Sequence, residues 1–442
     1  MKISISGIRG IYGEDLSLHD VVKFSRIFGS FISKFGTKTC FLARDTRPSS
    51  DILLKTVCAG LMAQGIDIFN IGIAPTPVAF RESRKYKSAL IVTASHNPLE
   101  WNGLKFVIEG RGIFEDELDS MLKSSISSST TYGNVYDVHS SYIQDVIDLM
   151  KKNGYTENKE KKKIIGLDPG GGAACGYAPE LFKALGQKCY SVNDVATISS
   201  RTPDPTSDDL LELCELVKGN NLDFGFAFDM DGDRLVVIDK NGQKLSPDLT
   251  LLLCITNTLH HGMKKYVTSI DTSNAVRDLV KAYGATLDYS KVGEANVVQK
   301  MIELSADAGG EGSSAGFIIP EFNMCRDGIL AGAIISSSSE KVIEECMTMA
   351  SKYKVIRSKI PIDSSKYSSL IEKLEDKFKE DSYDLLKLDG LKVLVDDNSW
   401  ILIRPSNTEH ALRISIESEP DKVSELYKKM KERVISIYEQ IE

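Results

Sequence analysis

Four short segments carry residue types at spacings that could support chemistry. In VTASHNPLEWNGLKF, residues 92–106, an apolar strand predicted from Ala89 to Thr93 ends in a small-residue turn presenting Ser95 and His96. Asn97-Pro98 continues the turn. Open α/β sheets place ligands beyond the carboxyl ends of their strands. A serine there serves as a nucleophile or phosphate carrier once something activates it. Lys105, read as following a turn at Asn102-Gly103, can swing back as a proton donor or cation. Taken alone, the Ser-His pair reads better as an ordinary polar loop.

In FGFAFDMDGDRLVVID, residues 224–239, Asp229, Asp231 and Asp233 fall at alternate positions after an apolar run, and Gly232 permits a tight turn. Three carboxylates this close repel one another unless a cation neutralises them, and hard oxygens select Mg²⁺ or a similar ion. The glycine placement and the distal Glu of an EF-hand are missing. Arg234 beside the triad suits a phosphate. In DAGGEGSSAGFIIPEF, residues 307–322, Glu311 and Ser313 point the same way if the loop is extended, which suits adjacent sugar hydroxyls. In RPSNTEHALRI, residues 404–414, Arg404, Ser406, Asn407 and Thr408 make an anion nest between two strands, with Arg413 adding charge. The last two segments read equally well, alone, as a flexible loop and a hairpin turn. Arg9 in SGIRG, and Arg44 and Arg47 in ARDTRPS, are read evenly as phosphate contacts or surface arginines. DPGGGAA, residues 168–174, lacks the Lys-Ser/Thr of a Walker sequence and is read as a strand-to-helix turn. The histidines show no metal-ligand spacing, and His260-His261 is read as a helix end.

The elements that must position these segments follow a repeat. An apolar run ending in Asp, a polar or glycine turn, a helical stretch, Gly and a second apolar run recur around Asp45, Asp168 and Asp271. Each copy is a βαβ unit, so three related, doubly wound α/β domains are expected. The tail differs. A helix is predicted from Lys366 to Lys379, paired strands turn at Asp396-Asp397-Asn398, and an amphipathic helix closes the chain from about Asp421. This is an α+β domain with an antiparallel sheet. The expected domains are 1–152, 153–246, 247–354 and 355–442. The stretch Ser124–Thr131 is read as a surface loop, and Asn153–Lys163, with its basic cluster Lys159, Lys161, Lys162 and Lys163, as a solvated linker.

Composition narrows the function class. At 442 residues the chain exceeds one hydrophobic core. A net charge of −8 without a long basic stretch argues against nucleic acid as a partner. Eight cysteines without a CxxC pair are read as free thiols in a reducing compartment. No run approaches the roughly 18 apolar residues of a membrane span. A cytoplasmic protein is the expectation.

In this order and spacing the four segments resemble the α-D-phosphohexomutase family, from SGIRG to beyond residue 410. The resemblance implies three α/β domains and a fourth domain around one central cleft. It implies a phosphoserine at Ser95, with Mg²⁺ held by Asp229, Asp231, Asp233 and the Ser95 phosphoryl. Lys105 would assist proton transfer, with His96, Arg9 and Arg234 lining the centre. Glu311 and Ser313 would read sugar hydroxyls, and Arg404, Ser406, Asn407, Thr408 and Arg413 would bind the non-reacting phosphate. The implied reaction interconverts hexose or hexosamine 6- and 1-phosphates through a 1,6-bisphosphate, which also serves as activator. The partner is then a small sugar phosphate, and the chain a monomer or homodimer.

Departures from the family pattern leave the sugar open. Ser314 and Ala315 stand where Gly and His are usual, Asn407 where Gly is, and His410 where Pro is. The GGEGS-type loop leans toward phosphoglucosamine mutase, with phosphomannomutase or phosphoglucomutase as the alternative. Sugar-bisphosphate phosphatase activity and a non-catalytic sugar-phosphate-binding role are the remaining readings.

Overall fold

The computed structural model describes residues 1–126, 129–156, 162–405 and 411–441. In each repeat a central parallel strand ends at or just before the repeated Asp. Thr39–Arg44 pairs in parallel with Asp67–Ile73 and Ser88–Val92. Ile164–Asp168 pairs in parallel with Lys188–Ser191 and Phe224–Phe228. Lys265–Ser269 pairs in parallel with Thr286–Ser290 and Ala308–Glu311. SALIV of Ser88–Val92 and FGFAF of Phe224–Phe228 are buried throughout. Helices cover both faces, which is why these strands read as apolar runs rather than as alternating patterns.

The repeat extends further than the βαβ unit. In all three sheets the third parallel strand leaves through a short loop and returns as an antiparallel neighbour: Trp101–Ile108, Leu235–Ile238 and Gly316–Ile318. The three intervening loops are the serine, aspartate and glycine-rich segments. The first sheet is the largest, with eight strands.

Asn102-Gly103 is not a turn, contrary to expectation: both residues lie inside the strand Trp101–Ile108. Asn102 donates to the hydroxyls of Ser49 and Ser50. At Gly103 the neighbouring strand comes so close that a β-carbon would lie 2.1 Å from the Ile8 carbonyl oxygen. Gly103 therefore serves close backbone approach within a sheet, and Lys105 projects from a fixed strand position.

The first three units share one contiguous apolar core, from Phe41 through Phe182 and Phe226 to Cys346. At its centre the helix Gly328–Ser336, GILAGAIIS, is buried on every side. The tail is a five-stranded antiparallel sheet ordered Lys354–Pro361, Ala411–Ser418, Trp400–Pro405, Leu391–Leu394 and Asp384–Leu386. Tyr367–Glu380 and Val423–Glu439 pack on it around a separate core.

Polar contacts seat the tail on the third unit. Arg357 donates twice to Asp248, at 2.7 and 3.1 Å, and once to the Asp271 carbonyl. Lys392 donates to the Ile270 carbonyl at 2.6 Å, and Glu417 accepts from the Asn274 N–H at 2.7 Å and from Trp400 at 2.6 Å.

Lys163 corrects the linker reading. It is buried and ion-paired with Glu340, while Lys159 and Lys161 lie outside the described residues. All eight cysteines are free, four buried and four partly exposed. Among the described residues no helix is long and apolar enough to cross a membrane.

Candidate active site

The serine loop leaves its strand under constraint. Ser95 holds φ 51°, a left-handed conformation costly for a side-chain-bearing residue. Its N–H donates to the Thr93 hydroxyl at 2.9 Å, and that hydroxyl donates to Asp45 at 2.8 Å. Arg47, expected to be a phosphate contact or a surface arginine, is neither. It is 1 % exposed, pairs with Asp45 at 3.0 Å, and donates to the carbonyls of Ser95, Asn97, Pro98 and Trp101. This one guanidinium closes the loop and holds the strained serine in place. Arg44 is partly exposed, 3.8 Å from Asp51.

The aspartate loop meets the serine. The Ser95 hydroxyl donates to Asp229 at 3.0 Å. Asp229, Asp231 and Asp233 are all buried, and one oxygen of each lies within 4.8 Å of the others. Gly232, at φ +69°, lets the backbone reverse among them. Thr76 donates to Asp231 at 2.7 Å. The Asp231 Oδ1 and Asp233 Oδ1 atoms are buried without a hydrogen-bond partner. Burial first, then mutual repulsion, pushes the Asp229 and Asp231 carboxyls up. Burial also acts on Asp233, but Arg326, Lys105 and Arg234 outweigh it and hold that group well below the usual carboxylate range. Orphaned oxygens within a buried three-carboxylate cluster fit a small hard cation.

Cations ring this cluster. Lys105 is 3.2 Å from Glu294 and 3.7 Å from Asp233. Burial lowers its affinity for the proton, yet the Glu294 and Asp233 charges prevail and raise its pKa. His96 lies between Ser95 and Arg234, with Nδ1 3.3 Å from Ser95 Oγ and Nε2 3.4 Å from the guanidinium. Burial, helped by Arg234, Arg9 and Arg326, pushes the imidazole well below its ordinary pKa, so it is neutral. Arg9 donates to Asn97 at 3.0 Å, and Arg234 lies 3.5 Å from Asp204.

The glycine-rich loop is not extended beyond Glu311. Gly312–Ser314 closes a single 3₁₀ turn. Glu311 turns inward, accepting from the Gly293 N–H at 2.6 Å and from Arg326 at 3.0 Å, and burial raises its pKa. Ser313 hydrogen-bonds to Asp271. The turn forms because Gly312 N–H donates to Thr272 while Ala315 takes φ 54°.

Arg404 and Arg413 lie directly opposite each other on neighbouring strands, and Arg404 is 3.7 Å from Asp389. Ser406, Asn407, Thr408 and His410 lie outside the described residues.

Sequence reasoning missed two residues that bind the site together, Arg326 and Glu294. Arg326 touches Asp233, Glu294 and Glu311 at 2.8, 3.4 and 3.0 Å. Their only sequence signals are weak: Glu294 follows a glycine that ends the third repeat, and Arg326 precedes Asp327, a helix cap.

Comparison with known proteins identifies the family. Models of Phosphoglucomutase/phosphomannomutase domains match residues 1–133 (alpha/beta/alpha domain I), 140–242 (domain II), 246–353 (domain III) and 360–433 (C-terminal domain). A "Probable phosphoglucosamine mutase" of Methanosphaera stadtmanae is 31% identical over 93% of both chains. A "Phosphoglucomutase/phosphomannomutase" of Thermococcus kodakarensis is 30% identical over 95% of both. The crystal structure of a Phosphoglucomutase/phosphomannomutase family protein from Burkholderia thailandensis superposes with a TM-score of 0.85 at 25% identity, covering 100% of this chain and 99% of that one. The fold also matches Aspergillus fumigatus N-acetylphosphoglucosamine mutase in complex with GlcNAc-6P and magnesium, at TM-score 0.61 and 12% identity, over 99% of this chain and 96% of that one. With all four domains matched in order, the chain belongs to the phosphoglucomutase/phosphomannomutase family and is a phosphohexomutase, an isomerase that transfers phosphoryl groups within a sugar phosphate.

Proposed function

We propose that the enzyme interconverts glucosamine 6-phosphate and glucosamine 1-phosphate through a phosphoserine at Ser95. One observation carries the site assignment: the Ser95 hydroxyl lies against Asp229 at the edge of a buried three-carboxylate cluster with orphaned oxygens. The names of full-length relatives support the hexosamine. The magnesium complex of the Aspergillus enzyme supports the metal.

Asp229, Asp231, Asp233 and the Ser95 phosphoryl would hold Mg²⁺, which supplies charge neutralisation for the moving phosphoryl. The sugar 1-hydroxyl attacks phospho-Ser95; the new O1–P bond forms as the P–Oγ bond breaks, and the hydroxyl proton leaves as Oγ gains one. The 1,6-bisphosphate turns in the cleft. Ser95 Oγ then attacks the 6-phosphoryl and loses its proton, while the departing O6 takes one. Neutral His96, 3.3 Å from Oγ, is suited to exchange the serine proton. Lys105, held as a cation, is suited to protonate the departing sugar oxygen. Arg234 and Arg9 offset phosphoryl charge, as phosphoryl transfer requires. Glu311 and Ser313 would contact the sugar. Arg404 and Arg413, with Ser406, Asn407 and Thr408, would take the non-reacting phosphate. Like charges facing each other across strands are stabilised by an anion between them. Hexose 1,6-bisphosphate would prime Ser95.

A second reading, a phosphomannomutase or phosphoglucomutase, is supported by the Thermococcus kodakarensis relative at similar identity. Phosphorus NMR with Mg²⁺ and a trace of bisphosphate separates the readings. Conversion of 6-phosphate to 1-phosphate fastest with glucosamine supports the first; faster conversion of mannose or glucose phosphate supports the second. Release of inorganic phosphate alone would mean a phosphatase, and no change in any tube a binding role.

A further inference from the structure

Arg326 lies outside all four segments, yet its side chain joins two of them. One terminal nitrogen donates to Asp233 Oδ2 at 2.8 Å. The other donates to Glu311 Oε2 at 3.0 Å and to the Ser314 hydroxyl at 3.3 Å. Its backbone N–H donates to Glu294 at 3.0 Å. The residue is fixed at both ends. The stem crosses Gly316 so closely that a β-carbon there would lie 2.2 Å from Arg326 Cδ. The next residue, Asp327, caps the helix Gly328–Ser336 and accepts from Tyr142 at 2.6 Å and from Asn323 at 3.0 Å. A rigid platform therefore aims a buried, planar fork at two loops from different units.

We infer that Arg326 is a positioning residue that couples the aspartate loop to the glycine-rich loop, so that divalent-cation binding and sugar-phosphate binding strengthen each other. This rests on the functional reading above. The guanidinium occupies Asp233 Oδ2 and leaves Oδ1 for the cation. A cation on Asp233 draws carboxylate charge away from the guanidinium, whose positive charge then serves the glycine-rich loop and an anion bound beside it. The two terminal nitrogens share one plane, so a rotation that follows one loop moves the contact to the other. Linkage makes the effect reciprocal. A lysine keeps the charge and lacks the fork.

Titration calorimetry of the full-length, unphosphorylated protein tests the coupling directly. Mn²⁺ affinity is measured alone, with orthophosphate, and with glucosamine 6-phosphate. Orthophosphate reports attraction through space, whereas the sugar phosphate also engages the glycine-rich loop. In the wild type the sugar phosphate should tighten Mn²⁺ roughly tenfold, severalfold more than orthophosphate does. In Arg326→Lys the two ligands should become equivalent. Glu311→Gln removes the other end of the tie and should do the same, which covers the case of a poorly folded lysine variant. Equal effects of the two ligands in the wild type would overturn the coupling, as would an excess that survives both substitutions. Binding is read without turnover, so a wild type that shows the excess but converts no hexose phosphate defeats the functional reading and leaves the coupling standing.

Discussion

The Ser95 hydroxyl reaches Asp229 Oδ2 at 3.0 Å across 134 positions of sequence. The two residues leave equivalent places in two copies of the repeat, each in the loop between the third parallel strand and its antiparallel neighbour. Packing two sheets of one design against a shared core brings those loops together without any contact between the segments in sequence.

If that serine carries the phosphoryl group, Ser95→Ala should reduce mutase turnover by at least about 10³-fold, as losses of a covalent nucleophile do. Radiolabel from hexose bisphosphate should no longer remain on the protein. Stability should change by less than about 1 kcal/mol, because alanine tolerates the left-handed backbone no better than serine. Retained turnover would remove Ser95 from the mechanism.

The aspartate cluster makes opposite predictions with and without metal. Asp231→Asn relieves burial and repulsion of a charge, so the metal-free variant should melt above the metal-free wild type. Saturating Mg²⁺ should stabilise the wild type by about 3 kcal/mol at 100 times Kd and leave the variant nearly unchanged. Thermal scans with EDTA and with Mg²⁺ check both signs. Equal Mg²⁺ stabilisation of the two proteins would move the cation elsewhere.

Arg47 should matter to both folding and turnover. Arg47→Ala leaves Asp45 buried without its cation and several carbonyls unsatisfied, a loss of about 3–5 kcal/mol. Arg47→Lys keeps the charge but reaches fewer carbonyls, so kcat should fall severalfold with KM little changed. Denaturant melts and steady-state kinetics separate the two. A lysine variant with full kcat would show that loop closure does not limit the reaction.

Glu417 gives the seat of the tail domain a pH dependence. Burial raises its pKa from 4.5 to about 7. A carboxyl whose folded pKa is raised contributes stability that is complete below pH 4.5 and is lost as pH rises to about 7. The loss is about 3 kcal/mol over that window. Glu417→Gln, neutral throughout, should flatten that part of the stability profile and melt higher than the wild type above pH 7. Parallel profiles for the two proteins would mean that water or a rearranged Lys392 relieves the buried charge.

Much of this enzyme was legible in its residues. The βαβ copies around Asp45, Asp168 and Asp271, the antiparallel tail and the three-carboxylate loop could be read because each rests on local periodicity or on spacing within a few residues. Asn102-Gly103 reads locally as a turn, but its glycine answers to a neighbouring strand, which local sequence does not display. The turn at Gly312–Ser314 is hidden from the sequence for the same reason: Thr272 and Arg326 hold that loop from outside it.

The sequence by itself determined the repeated units and the chemical types available at each loop, through apolar periodicity and glycine placement. Only the tertiary structure decided which groups meet. Arg47 became a backbone clamp because burial left it Asp45 and four carbonyls as partners. Arg326, unremarkable in CRDG, became the bridge between Asp233 and Glu311 because two sheets converge on it. Electrostatic partnership falls off within a few ångströms and depends on burial, and neither distance nor burial is written along the chain.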